Sequence, residues 1–239
     1  MLDKDYRDRV IVALDCSLER ARELARGLQG HARWLKVGMT LYYAAGPSIV
    51  DEFKALGFKV FLDLKLHDIP HQVQGAARVL AASGADMLTI HAGGGPAMAS
   101  AAAGALREVR PDDVPILLGV TVLTSMDAAT LEQLGVSRPL DDQVGALASM
   151  ACQAGCDGVV CSPWEAPRIR KLLGPDAAIV TPGVRPKGAS LDDQSRVMTP
   201  SMALQRGASH IVIGRPVTGA EDPVAAFESI VKDMEEELS

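Results

Sequence analysis

The stretch Lys59-Val60-Phe61-Leu62-Asp63-Leu64-Lys65-Leu66-His67-Asp68-Ile69-Pro70 starts apolar and ends charged. Lys59 to Leu64 reads as a short strand, since a compact β-branched and Leu-rich run suits a sheet covered on both faces. Side chains alternate along a strand, so Asp63 and Lys65 point the same way, with Asp68 just beyond. Charges are costly to bury unpaired. Their crowding at one strand end is intelligible in a closed α/β barrel, where active sites are assembled at the C-terminal ends of the strands.

The rest of the chain supplies that barrel. Further strands are expected at Val10 to Leu14, Trp34 to Val37, Met87 to His91, Ile116 to Val122, Gly158 to Cys161, Ala178 to Thr181 and His210 to Ile213. Helical stretches lie between them. One is Ser17 to Gln29, with Leu18, Ala21, Leu24, Ala25 and Leu28 on an apolar stripe and Ser17 placed as N-cap. Strand then helix, eight times over, predicts an α/β fold of the (β/α)8 TIM-barrel class. A doubly wound open sheet is the alternative; the count of eight and the lack of G-x-G-x-x-G after the first strand favour the barrel. No linker or low-complexity segment interrupts the pattern, so residues 1–239 read as one catalytic barrel domain. Gly93-Gly94-Gly95-Pro96 reads as a tight strand-to-helix turn rather than a phosphate loop.

Hydrophobic residues make up 48% of the chain but aromatic ones only 4%, so Ala, Val, Leu, Ile and Met must fill the core. A net charge of −6 argues against nucleic acid, which calls for a basic surface. Any phosphate must be met locally. There is no apolar run near the roughly 20 residues that span a bilayer, and the charged opening Met1-Leu2-Asp3-Lys4-Asp5 is unlike a signal peptide. A cytoplasmic protein with no membrane contact is expected. Cys16, Cys152, Cys156 and Cys161 form no C-x-x-C pair and are expected as reduced thiols.

Asp15 ends strand one and Lys36 lies in strand two. Lys36 with Asp63, Lys65 and Asp68 suggests a lysine, carboxylate, lysine, carboxylate network at the mouth, each charge flanked by its opposite. A second cluster follows strand seven, Thr181-Pro182-Gly183-Val184-Arg185-Pro186, in a loop running on to Gln194. Strand eight ends Ile213-Gly214-Arg215-Pro216. Loops seven and eight of such barrels commonly hold phosphate; Gly214 lets an oxygen approach the backbone and Arg215 supplies a fork of donors. His67 and His71 have the i, i+4 spacing of a metal pair but straddle a helix start, so no metal site is expected. His91 reads as a hydrogen-bonded core residue.

Taken in order, Val12-Ala13-Leu14-Asp15, Lys36-Val37-Gly38, Asp63-Leu64-Lys65-Leu66-His67-Asp68-Ile69-Pro70, Val122-Leu123-Thr124-Ser125, Thr181-Pro182-Gly183-Val184-Arg185-Pro186 and Ile213-Gly214-Arg215-Pro216 resemble the orotidine 5′-monophosphate decarboxylase family along essentially the whole chain. The resemblance implies conversion of that nucleotide to UMP and CO₂ in pyrimidine biosynthesis, with no cofactor and no metal. It implies a catalytic network of Lys36, Asp63, Lys65 and Asp68, with Lys65 as proton donor to C6. It further implies a homodimer in which Asp68 reaches the partner's site. Asp15 and Lys36 would contact the ribose, Thr124-Ser125 and Pro182 the pyrimidine, and Arg185, Gln194, Gly214 and Arg215 the phosphate. Many family members carry Asn-Thr after Asp-Ile-Pro, where this chain has His71-Gln72; the Gln72 amide would stand in for the hydroxyl.

Two rivals remain at this point. One is a magnesium-dependent sugar-phosphate decarboxylase or aldolase of the same wider group, whose members place an acidic residue where this chain has Lys36. An ammonium there repels a cation that wants oxygen ligands. The other is a catalytically silent barrel that binds a nucleotide; retention of both lysines and both aspartates speaks against it.

Overall fold

The computed structural model describes residues 5–186 and 198–238. Eight parallel strands close in chain order: β1 Val10–Ala13, β2 Trp34–Gly38, β3 Lys59–Leu66, β4 Met87–His91, β5 Ile116–Val120, β6 Gly158–Val160, β7 Ala178–Thr181 and β8 His210–Ile213. Pairing of β1 with β8, Val10 opposite Ile211, completes the ring. All eight expected strands are present, and the boundaries differ where partners begin or end. β5 stops at Val120, opposite the last residue of β4, because β4 ends at His91. Beyond it Thr121 bonds only to β6, through its N–H and hydroxyl to the Val160 carbonyl. β3 runs two residues past Leu64 because Leu66 regains a partner, Ile90, after a register shift.

Alternation along these strands makes two apolar layers. Ile11, Ala13, Trp34, Phe61, Met87, Leu118, Val180 and Val212 fill the barrel interior. Their neighbours Val10, Val12, Leu35, Val37, Val60, Leu62, Leu88 and Ile90 point outward to the helices. Small residues let those helices lie close: Ala99, Ala102 and Ala105 of the helix Gly95–Val109 are fully buried. This is how a core is built with few aromatic rings. The helix Leu18–Leu28 starts as expected, Ser17 Oγ accepting from the Arg20 N–H. Gly93-Gly94-Gly95-Pro96 is a tight turn: Gly95 sits at φ 84°, the left-handed region, and the following proline lies in the helix's first turn.

The N-terminal end of the barrel is plugged. Trp34 meets His210 edge-on at 5.8 Å between ring centroids, and Lys59 Nζ lies 5.1 Å from the Trp34 ring centre. Burial, with Arg9 and Lys59 adding repulsion, pushes the His210 imidazole down to about 4. Among the described residues no helix is long and apolar enough to cross a membrane.

Candidate active site

At the opposite end the strands converge on a cavity of about 300 Å³ whose wall includes Asp15, Lys36, Asp63, Lys65, Thr124, Pro182 and Gly214. Its floor is apolar, formed by Phe61, Val120, Val160, Val180 and Val212. A second hollow of about 280 Å³ adjoins it, sharing Ala13, Asp15, Gly183, Val212 and Gly214, and adds Arg185, Arg215 and Pro216. The first hollow sets lysines among its carboxylates, whereas the second keeps Asp15 and adds arginines. A molecule with a polar ring and a phosphate could span both.

Register explains the charged wall. Lys36 pairs with Ala13 on one side and Phe61 on the other, both interior residues, so its side chain enters the barrel. Only 9% of that side chain is exposed, and 13% of Asp63's, so these charges depend on one another rather than on water. Lys36 Nζ sits 3.1 Å from Asp15 Oδ1 and 3.5 Å from Asp63 Oδ2. Lys65 Nζ approaches the same Asp63 oxygen at 2.9 Å. Within one chain the order is therefore Asp15, Lys36, Asp63, Lys65. Gly38 makes room for it, since a Cβ there would lie 3.1 Å from Asp15 Oδ1 and 3.4 Å from Lys36 Nζ.

Asp63 and Lys65 do meet, though not through regular alternation. Lys65 has φ 51°, the left-handed region, and is the one non-glycine residue with positive φ among the described residues. Such a conformation costs about 1–3 kcal/mol and persists only where surroundings impose it. The residue that helps impose it is Thr89 of β4, which no sequence motif marks out. Its alternation with outward Leu88 and Ile90 is the one signal that identifies it as an inward polar side chain. Cys161, expected only as a reduced thiol, lines the cavity; burial pushes its pKa far up, so it serves as an apolar wall.

The remaining expected residues fall into three groups. Thr124, Pro182, Arg185, Gly214 and Arg215 all line one or both hollows. Arg185 is buried, and its Nε has no hydrogen-bond partner among the described residues. A Cβ on Gly214 would make only ordinary contacts, near 3.7 Å, so the glycine leaves space above the backbone. The helix that follows, Arg215–Thr218, has a single turn and little dipole, so local N–H groups and arginines must meet an anion there. Asp68 and Gln72 stand apart: both are exposed and neither lines the cavity, and Asp68 accepts the Ile69 N–H at 2.6 Å. Gln194 lies outside the described residues.

One histidine expectation is revised. His91 is half-buried and stacks on His67, centroids 5.2 Å apart and rings 22° from parallel, instead of being held by a hydrogen bond in the core. Burial, then His67 and Lys65, lower its pKa. His67 precedes the helix Pro70–Ala82 that contains His71, so their spacing is not helical. Among the described residues no group of three or more His, Cys, Asp or Glu side chains is placed to hold a metal.

Residues 8–230 match the profile of the orotidine 5′-phosphate decarboxylase / HUMPS family. The chain belongs to this family. Curated relatives agree: the orotidine 5′-phosphate decarboxylase of Moorella thermoacetica is 48% identical, covering 98% of this chain and 95% of its own length. That of Nitrosococcus oceani is 49% identical, with 95% and 98% covered. Among solved structures, orotidine 5′-phosphate decarboxylase from Lactobacillus acidophilus superposes with a TM-score of 0.85 at 41% identity, covering 94% of this chain and 98% of its own. The family description spans both enzyme readings left open by the sequence, whereas these relatives carry the name of one.

Proposed function

We propose that this barrel is a carbon–carbon lyase that converts orotidine 5′-monophosphate to UMP and CO₂ without metal or cofactor. The observation that carries it is the position of Lys36 Nζ between Asp15 and Asp63, with Lys65 on the same Asp63 oxygen. An ammonium fills the space between two carboxylates where a divalent cation would otherwise bind. That favours the decarboxylase over a magnesium-dependent relative.

The chemistry uses each charge. Breaking the C6–CO₂ bond leaves an electron pair at C6 that no adjacent carbonyl delocalises, and lowering that barrier requires on the order of 20 kcal/mol. The Lys65 ammonium stabilises the developing negative charge and then gives C6 its proton. Asp63 faces the departing carboxylate and raises the energy of a substrate whose charge is lost as CO₂ leaves. Asp15 and Lys36 hold the ribose, and Thr124 and Pro182 border the pyrimidine. Arg185, Gly214 and Arg215 take the phosphate, with Gln194 closing over it. This remote binding energy orients the ring and excludes water.

Asp68 completes the network from a second copy of the chain. Its exposed position outside its own cavity supports this, as do exposed apolar residues on the segments that follow β2 and β3. Ile69 is 63% exposed, and Met39 and Tyr43, 47% and 75% exposed, follow the neighbouring strand β2. In that arrangement Gln72 of the helix Pro70–Ala82 also meets the shared site. Each chain is one catalytic domain, and the dimer works in the cytoplasm, as suits a biosynthetic enzyme with a soluble substrate.

The test is direct. Purified protein mixed with orotidine 5′-monophosphate should remove the orotate absorbance at an undiminished rate in excess EDTA. No loss of absorbance would leave the sugar-phosphate relative or a silent nucleotide-binding barrel. Loss that vanishes in EDTA and returns with Mg²⁺ would overturn the metal-free mechanism.

A further inference from the structure

β3 and β4 pair in register at Phe61 with Met87 and Leu62 with Leu88, and again at Leu66 with Ile90. Asp63, Leu64 and Lys65 therefore stand opposite a single residue, Thr89. The strand bulges there, and the bulge is what brings Lys65 to φ 51°. A bulged residue loses its place in the ladder, so its N–H needs another acceptor. Thr89 supplies it: Oγ1 accepts the Lys65 N–H at 2.9 Å and donates to Asp63 Oδ1 at 3.1 Å.

The direction of these bonds follows from the donor inventory. A backbone N–H can only donate, so the hydroxyl accepts from Lys65 and its one proton is free for Asp63. Oδ1 of Asp63 is thereby committed to Thr89, which turns Oδ2 toward Lys65 Nζ and Lys36 Nζ. Thr89 is 1% exposed, so water cannot take over either bond.

We infer that Thr89 is a positioning residue for the decarboxylation: one buried hydroxyl on β4 sets both the backbone of Lys65 and the carboxylate plane of Asp63, and so aims the ammonium at the reacting carbon. This rests on the decarboxylase reading above. Thr89 does not line the cavity. Its loss should therefore act on kcat and leave ground-state binding of the product largely alone.

The experiment measures kcat, UMP affinity and melting temperature for wild type, Thr89→Val, Thr89→Ala and Thr89→Ser. Valine keeps the shape and removes the hydroxyl. Its kcat should fall on the order of 100-fold, as for a misplaced catalytic group, with UMP affinity within about three-fold of wild type. Serine restores the hydroxyl without the methyl and should recover most of what alanine loses. If valine does not fold, the serine and alanine pair makes the same comparison with and without the hydroxyl. The inference is overturned if the hydroxyl-free variants keep kcat within about three-fold. It is equally overturned if kcat and UMP affinity fall together, or if serine is as impaired as alanine. A wild-type chain without turnover would remove the decarboxylase reading itself and this inference with it.

Discussion

The two ends of the barrel solve the same problem in opposite ways. Each places inward-facing cationic or titratable groups among apolar strands, Lys36 and Lys65 at the mouth and Lys59 and His210 at the base. At the base the solution is passive: His210 is held neutral by burial, and Lys59 lies over the Trp34 ring, a contact that stabilises by about 0.5–1 kcal/mol. At the mouth the charges are kept, paired through a carboxylate and joined to a strained backbone at Lys65. A fold that wanted only stability would treat both ends like the base. Substitutions at the mouth should therefore act on turnover, and those at the base on stability.

The largest effect is expected at Lys65. Lys65→Ala should lower turnover by about four orders of magnitude or more, since it removes both charge stabilisation and proton delivery, while the folded protein still binds UMP. Asp68→Asn should be nearly as inactive if Asp68 serves the partner's site. Mixing the two variants then separates shared from unshared sites. Random exchange makes half the dimers mixed, each with one intact site, so roughly a quarter of wild-type sites return. A flat activity trace after verified exchange would mean that both residues serve the same chain's site.

A smaller effect is expected at the phosphate hollow. Arg215→Ala should weaken capture of the phosphorylated nucleotide by about 1.5–3 kcal/mol, as for losing a hydrogen bond to a charged group, since Arg215 is exposed. The same nucleoside without phosphate should be far less affected. Equal losses on the two substrates would detach Arg215 from the phosphate.

How much of this contrast the sequence carries depends on what each residue needs in order to be seen. The strands are legible because each is a short apolar run with turn residues at its ends, and Ala178 to Thr181 and His210 to Ile213 match to the residue. Lys36, Asp63 and Lys65 are legible because charge is rare inside a barrel. Thr89 is not, because a threonine in a strand is ordinary until the opposite strand bulges, and a bulge depends on pairing. The fourth member of the chain's own network is also obscured: Asp15 holds Lys36, a contact set by the β1–β2 register, while Asp68 lies outside its own cavity. The base leaves no trace in the sequence. Trp34 and Lys59 face each other on the paired strands β2 and β3, but His210 comes from β8 at the other end of the chain, and closure of the barrel is what brings it to Trp34.

An effect of another kind belongs to that base, and it appears in stability alone. His210 is pushed from its ordinary 6.5 to about 4, chiefly by burial and secondarily by Arg9 and Lys59. Between those values the unfolded chain binds a proton that the folded chain refuses, so acid favours unfolding. The contribution is complete above about pH 6.5, shrinks as pH falls, and is gone below about pH 4. Over that window it amounts to about 3 kcal/mol. His210→Leu removes the titrating ring, so denaturation of the two proteins at pH 7 and at pH 4 isolates its share from carboxylates common to both. Wild type should lose about 3 kcal/mol more than the variant on acidification, and turnover at pH 7 should be alike in both. Equal acid sensitivity would mean that His210 takes up its proton within the fold, and the base would then be a charged end like the mouth.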